Sequence, residues 1–173
     1  MIATTTIDAR AARSDRVYAA KLKTPFAVLG IRTSGRSLTG IEYLPRSEHA
    51  QAPADAVAER GCRQLERYLA DPQFRFTLPL APHGTAFRRR VWDALASIPV
   101  GESRTYGEMA RRLATAPRAI GGACGANPIA LVIPCHRVVG SQGSLGGFMG
   151  AIDGDPIAIK RWLLMHEGYR FGR

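Results

Sequence analysis

Residues 105–128, TYGEMARRLATAPRAIGGACGANP, decide the architecture. Thr105 and Glu108 have the T-x-x-E spacing of a capping box, in which each side chain satisfies the other residue's backbone N–H, so a helix opens there and runs to about Leu113. After a turn at 114–116, Pro117 suits the first position of a second helix, which ends at Gly125 or Asn127. Two short helices across a tight turn make a helix-turn-helix. Beyond Arg118 and Ile120 the second helix is Ala, Gly and Cys124. A reader of base edges wants Asn, Gln or several Arg there. A helix this smooth either lets a DNA backbone come close while one long cation probes the stack, or packs tightly in a core. The sequence leaves both open.

Upstream, TAFRRRVWDALASIP (85–99) puts Phe87, Val91, Leu95 and Ile98 on one helical face, and Pro99 closes it. Arg88, Arg89 and Arg90 point away, as a solvated face or as phosphate contacts. A Pro/Gly linker at 79–84 marks a domain boundary. Before it, VYAAKLKTPFAVLGIRTSGRSLTGIEYL (17–44) alternates apolar and polar residues between Pro and Gly and reads as three antiparallel strands. ADAVAERGCRQLERYLADP (54–72) reads as an amphipathic helix, and FRFTLPLAPHG (74–84) as a short strand running into the linker. The expected organisation is a sheet-plus-helix domain at 1–83 and a helical domain at 84–173.

Composition narrows the function. With 46% hydrophobic and 22% charged residues the chain is neither disordered nor fibrous. Twenty-four basic against 14 acidic residues give a net charge of +10. Residues 86–137 alone carry 8 basic and 3 acidic groups, which concentrates the field where the helix-turn-helix lies. Such a field draws a polyanion such as nucleic acid, although Arg and Ala richness also follows from a GC-rich genome. No apolar run reaches the roughly 20 residues needed to span a bilayer, and the opening 16 residues lack a signal-peptide core, so a cytosolic protein is expected. Cys62, Cys124 and Cys135 make no disulfide framework, and with His49 and His83 they show no ligand spacing for zinc; neither metal nor cofactor is expected.

The reactive candidate lies in IALVIPCHRVV (129–139). Ile129–Ile133 read as a buried strand stopped by Pro134, followed by Cys135, His136 and Arg137. A thiol beside an imidazole and a guanidinium is expected to have a lowered pKa. In an extended segment, adjacent side chains face opposite ways. His136 would then reach the sulfur only through a water, or if the turn rotates the two together. An imidazole base needs an orienting carboxylate, and Glu167, at the end of the apolar helix around 157–168, is the candidate.

Taken together, IPCHRVVG, the NP before it, RAIGGACGANP, TYGE and WLLMHEG resemble the O6-alkylguanine-DNA alkyltransferases, the methylated-DNA--protein-cysteine methyltransferases, over about Thr85–Gly168. The resemblance implies an α/β (α+β) protein. A small ribonuclease H-like domain of antiparallel sheet plus helix would precede a winged-helix-like helix-turn-helix domain that binds DNA in the minor groove and flips the damaged base. By motif, Cys135 looks like the alkyl acceptor, His136 the water-linked base and Glu167 its orienting carboxylate. Asn127 would brace the cysteine's turn. Tyr106 would donate to the flipped base and crowd the phosphate into rotating, and Arg118 would fill the gap in the stack. The DNA-facing set becomes Arg118, Tyr106, Thr105, Ala119, Gly122, Ala123 and Arg137. The pocket becomes Tyr106, Pro134, Val138, Phe148, Met149 and Gly150, with the Val138 carbonyl accepting from the guanine amine. The implied partner is double-stranded DNA carrying O6-alkylguanine, with O4-alkylthymine left open, no membrane, and a monomer whose cooperation along DNA is also open.

These roles match the chemistry. Displacement at an alkyl carbon needs an anionic sulfur and donors for charge developing on the base. The carbon lies inside a stacked duplex, so the nucleotide must leave it at a few kcal/mol. The thioether has no easy leaving group, so one turnover consumes the protein. The sequence departs from its relatives at Phe148 and Met149 and in a segment 150–160 about five residues longer than expected, where Asp153–Pro156 would form a loop at the pocket's lip. Two other classes remain in view. A non-catalytic binder of alkylated bases has no use for the cysteine, and a regulator or cysteine hydrolase needs base-reading side chains or an oxyanion site.

Overall fold

The computed structural model describes residues 18–171. Strands β1 (Ala20–Lys23), β2 (Val28–Ser34) and β3 (Ser37–Leu44) form an antiparallel meander in that order. Gly35, at φ +57, takes the left-handed conformation that lets β2 turn into β3. Helix α1 (Ala56–Ala70) opens on Asp55, whose carboxylate accepts from the Ala58 N–H at 2.8 Å, and it turns Ala58, Cys62, Leu65 and Tyr68 inward. Leu29, Ile31, Leu38, Ile41 and Leu65 are fully buried, each contributing roughly 1.5–3 kcal/mol.

The second half is helical: α2 (Ala86–Ala96), β4 (Arg104–Thr105), α3 (Tyr106–Arg112), α4 (Pro117–Gly125), a 3-10 turn (Cys135–Arg137), β5 (Val138–Val139) and α5 (Gly154–His166). Both halves of the capping box are made, Glu108 N–H to Thr105 Oγ1 at 3.1 Å and Thr105 N–H to Glu108 Oε2 at 2.6 Å. The helix-turn-helix, α3 and α4, is tied to α2 by Trp92, whose buried indole N–H donates to the Ala123 carbonyl at 2.9 Å. Strands β4 and β5 pair in parallel, setting the start of α3 beside the end of the cysteine turn. The mixed α+β fold expected from the sequence is therefore present. Buried residues on both sides of 79–84 join a single core.

Three local expectations fail. The 74–84 stretch is no strand; it makes a single bridge, Leu38 opposite Leu80, because Pro79 and Pro82 have no N–H to extend a ladder. Ile129–Ile133 are not a strand either. Leu131 sits at φ +72, and backbone bonds from Val132 to Ala130 and from Ile133 to Ile129 fold the segment on itself. It is nevertheless buried at Ile129, Ala130, Leu131 and Ile133, because its apolar side chains fill the core beneath a turn. Finally, Asp153 occupies the N-cap position of α5, without a side-chain capping bond, and Gly154–Pro156 are its first turn, where proline is tolerated, rather than a loop.

Gly84 stands where a Cβ would lie 2.4 Å from the Trp92 ring. Gly84→Ala must displace that indole from its seat and is expected to destabilise the fold by about 1–3 kcal/mol. Thermal unfolding followed by circular dichroism measures this; an unchanged midpoint would contradict the packing.

Candidate active site

Cys135 opens the 3-10 turn and is 6% exposed. Asn127, two residues past the end of α4, holds this turn three ways. Its amide N–H donates to the Ile133 carbonyl at 2.8 Å and to Cys135 Sγ at 3.4 Å, and its Oδ1 accepts from Ile129 N–H at 3.0 Å. The end of the smooth helix and the thiol are thus joined through one side chain. The expectation that charged neighbours lower the thiol's pKa is not met. Burial pushes Cys135 above its ordinary value, and the Asn127 hydrogen bond and the Lys160 charge only partly oppose it.

His136 is fully buried and accepts no extended-strand description, since it lies within the 3-10 turn. Its Nε2 lies 2.9 Å from Glu167 Oε1. An ionised carboxylate only accepts, so Nε2 carries the proton and the lone pair is on Nδ1. That Nδ1 is buried without a hydrogen-bond partner among the described residues. Burial keeps His136 below its usual pKa despite the pull of Glu167, so the ring is neutral at pH 7. Glu167 also receives Arg137 through Nε and Nη2, both at 2.8 Å, and the Tyr68 hydroxyl at 2.8 Å. Burial would raise the Glu167 pKa, but the hydrogen bonds and positive charge of His136 and Arg137 win and hold it well below the carboxylate range.

A cavity of about 460 Å³ opens over Cys135, lined among others by Tyr106, Gly121, Cys124, Phe148, Met149 and Ile152. This is room for a base-sized ligand. Tyr106 donates to the Gly147 carbonyl at 3.0 Å. Phe148 and Ala151 exchange both backbone hydrogen bonds around Met149 and Gly150, whose φ values of +54 and +79 are those of a type I′ turn. That turn forms the lip, with Met149 and Ile152 exposed on it. Lys160, on α5, closes the pocket from behind. It is 0% exposed, and its ammonium donates to the carbonyls of Val138 and Leu145 at 2.6 Å and of Gly147 at 3.0 Å. Burial lowers its pKa to about 8, against the pull of Cys135 and Cys124. Cys124 is itself pushed up to about 12 by burial, as befits a packing thiol.

The structure therefore gathers Cys135, His136, Glu167, Asn127 and Tyr106 around one centre, with Phe148, Met149 and Gly150 at the pocket. Arg118, Ala119, Gly122 and Thr105 lie along the helix-turn-helix, with Arg118 and Gly122 exposed. A Cβ at Gly122 or Gly125 would meet nothing within 4 Å, so no internal packing demands these glycines, which cost a helix about 1 kcal/mol each. Three expected assignments do not fit. Arg137 turns inward to Glu167 and to the Ile98 carbonyl at 2.6 Å. Ala123 is buried against α2 by the Trp92 bond. Pro134 lines a different cavity, beside Phe74, Phe76 and Tyr68. The Val138 carbonyl accepts from Lys160 and keeps a second lone pair. Sequence reasoning also missed Lys160 and Tyr68. The signal for Lys160 was available: it is one of 3 lysines beside 21 arginines, set among apolar residues of a helix.

Comparison with known proteins bears on this site. The family described as 6-O-methylguanine DNA methyltransferase, DNA binding domain, matches residues 86–169. A methylated-DNA--protein-cysteine methyltransferase of Methanosarcina acetivorans is 36% identical over 159 residues, covering 88% of this chain and 99% of the relative. Among solved structures, the O6-methylguanine methyltransferase of Mycobacterium tuberculosis superposes with a TM-score of 0.72 at 35% identity, covering 85% of this chain and 90% of that one. A Mycobacterium tuberculosis OGT in complex with DNA gives the same TM-score at 37% identity over the same shares of the two chains.

Glu167→Gln leaves Arg137 buried without its counter-charge and is expected to cost about 3–5 kcal/mol at pH 7. The native carboxylate has a pKa below the ordinary 4.5, so its stabilisation is complete above that pH and fades as pH falls through the folded value. Urea unfolding of both proteins should show the gap narrowing toward about pH 3. A gap as wide there as at pH 7 would refute the charge assignment.

Proposed function

Since the chain belongs to the methylated-DNA--protein-cysteine methyltransferases, a family of DNA-repair alkyltransferases, we propose that Cys135 takes the alkyl group from O6-alkylguanine in a single irreversible turnover. The observation that carries this reading is the position of the Cys135 sulfur. It lies at a base-sized pocket, one side chain away from the end of an exposed, nearly bare helix. The damaged nucleotide rotates out of duplex DNA, its phosphate crowded by Tyr106 at the head of α3, and Arg118 fills the space it leaves. Gly122 and Gly125 let the DNA backbone approach α4 closely.

In the pocket, the thiol proton passes through water to His136 Nδ1, the lone pair made available by the Nε2–Glu167 bond. The sulfur attacks the alkyl carbon, the S–C bond forms and the carbon–oxygen bond breaks. Charge left on the guanine is met by Tyr106, which exchanges the Gly147 carbonyl for the base. Lys160 favours the transient thiolate as a nearby positive charge, and with the Asn127 hydrogen bond it partly opposes the rise that burial imposes on the thiol. The anionic guanine then takes up a proton from water, His136 gives its extra proton back to water, and the result is a thioether and an unmodified guanine. The other thiol at the pocket, Cys124, is pushed up to about 12 by burial and stays protonated, so the alkyl group remains on Cys135 and the protein is spent. We further assign 1–83 and 84–173 as the two domains of a cytosolic monomer, and leave repair of O4-alkylthymine to the same pocket.

Incubation with duplex DNA carrying one O6-methylguanine, followed by peptide mass spectrometry, should find a single methyl on the peptide containing Cys135. Cys135→Ala should abolish it while keeping DNA affinity. Repeated turnover, or a methyl elsewhere, would sink the reading. Arg118→Ala should slow repair of the duplex by at least about tenfold, equivalent to 1.36 kcal/mol, and leave reaction with the free base unchanged. Equal losses on both substrates would remove the gap-filling role.

A further inference from the structure

Glu167 is served by donors from two distant parts of the chain. His136 Nε2, Arg137 Nη2 and the Tyr68 hydroxyl all converge on Oε1, at 2.9, 2.8 and 2.8 Å, while Arg137 Nε takes Oε2. Tyr68 comes from α1, 99 residues away in sequence, and is 2% exposed. Its position is fixed at both ends. His166 Nε2 lies 2.8 Å from the Tyr68 carbonyl, and the His166 ring stands edge-on to the phenol at 5.3 Å, with Phe76 on the ring at 5.6 Å. Burial and the Glu167 charge push the phenol's pKa up, so it stays a donor throughout the working range.

We propose that Tyr68 is a positioning residue for alkyl acceptance, whose hydroxyl competes with His136 for Glu167 Oε1 and so keeps the imidazole neutral and free to take the thiol proton. This rests on the reading of His136 as the base. The physical argument is one of shared electron density. An oxygen with two lone pairs that accepts three donors gives each less than it would give alone. Without the phenol, the carboxylate would hold its full charge toward Nε2 and favour an imidazolium, which accepts no proton. The other charged or titratable groups around the pair act on it as well. Arg137 and Lys160 oppose the imidazolium. The Cys135 thiol neighbours both Lys160 and the buried Tyr43 hydroxyl, and Tyr43 in turn feels Glu167. Among the donors on Glu167, Tyr68 is neutral, so removing it changes the hydrogen bonding without removing a charge. It is also the one supplied by α1, which gives the N-terminal half a direct part in the reaction.

The test is the single-turnover rate of methyl transfer to Cys135 as a function of pH. The wild-type rate should rise with pH as His136 loses its proton, at a pH below the ordinary 6.5. Tyr68→Phe keeps the ring and its stacking. Loss of the donor should move the rising limb to higher pH by about half a unit or more. Replacing Tyr68 with 3-fluorotyrosine, a stronger donor, should move it the other way. An NMR titration of the His136 ring in unreacted protein should show the same two shifts without any chemistry. A purely structural tyrosine would lower stability and leave the limb where it is, so an unmoved limb in folded Tyr68→Phe overturns the proposal. His136→Gln separates the two readings. If it abolishes the limb while Tyr68→Phe leaves it in place, only the role of Tyr68 fails. If it reacts with the wild-type limb intact, the assignment of His136 as base fails and this proposal fails with it.

Discussion

A single buried carboxylate organises the reactive half of this protein. Glu167 caps the end of α5, fixes the tautomer of His136, turns Arg137 inward and receives the Tyr68 hydroxyl from α1. Burying a carboxylate is unfavourable unless it is paired and fully hydrogen-bonded. Four donors meet that demand here, and each is thereby held in one place. The cost of desolvating one group is thus offset by ordering the segments that supply its partners: the 3-10 turn bearing Cys135, the last turn of α5 and the end of α1.

The second constraint is that the thiol is enclosed. An exposed thiolate reacts with many electrophiles, whereas a thiol whose pKa is raised by burial stays protonated. Asn127 and Lys160 serve the same end by different means. Asn127 ties the sulfur to the tail of α4, and Lys160 uses one ammonium to hold three carbonyls of the segment that folds over the pocket. A lysine suits this better than an arginine. Its three donors radiate from a point and can meet three carbonyls at once, where a planar guanidinium presents a fork.

Much of the scaffold could be read from the chain because its signals are local. Thr105 and Glu108 specify a helix start within four residues, Pro117 another, and the meander follows from alternation between turn residues. What failed depended on side-chain partners and backbone conformations that residue type does not announce. Ile129–Ile133 are as apolar as a strand, yet Asn127 and a left-handed Leu131 make them a turn, and that turn removes the premise that Cys135 and His136 face opposite ways. Arg137 reads as a DNA contact beside a nucleophile until Glu167, 30 residues on, claims it. Ala123 looked as smooth and available as Gly122, and only the Trp92 indole distinguishes the inner face of α4 from the outer. Tyr68 gave no signal at all, since an aromatic on the buried face of a helix is ordinary until its hydroxyl finds a partner.

The chain's two tryptophans stand at its two joints. Trp92 is bonded to the carbonyl of Ala123 in α4, and Trp162 is stacked on His166 at 4.8 Å, next to the tyrosine that reaches Glu167. Their indoles are therefore resident optical probes, one for each end of the molecule. With either ring replaced by phenylalanine, the emission of the other reports a single locus, so movement of the helix-turn-helix and loosening of the α1 attachment can be followed separately in unlabelled protein.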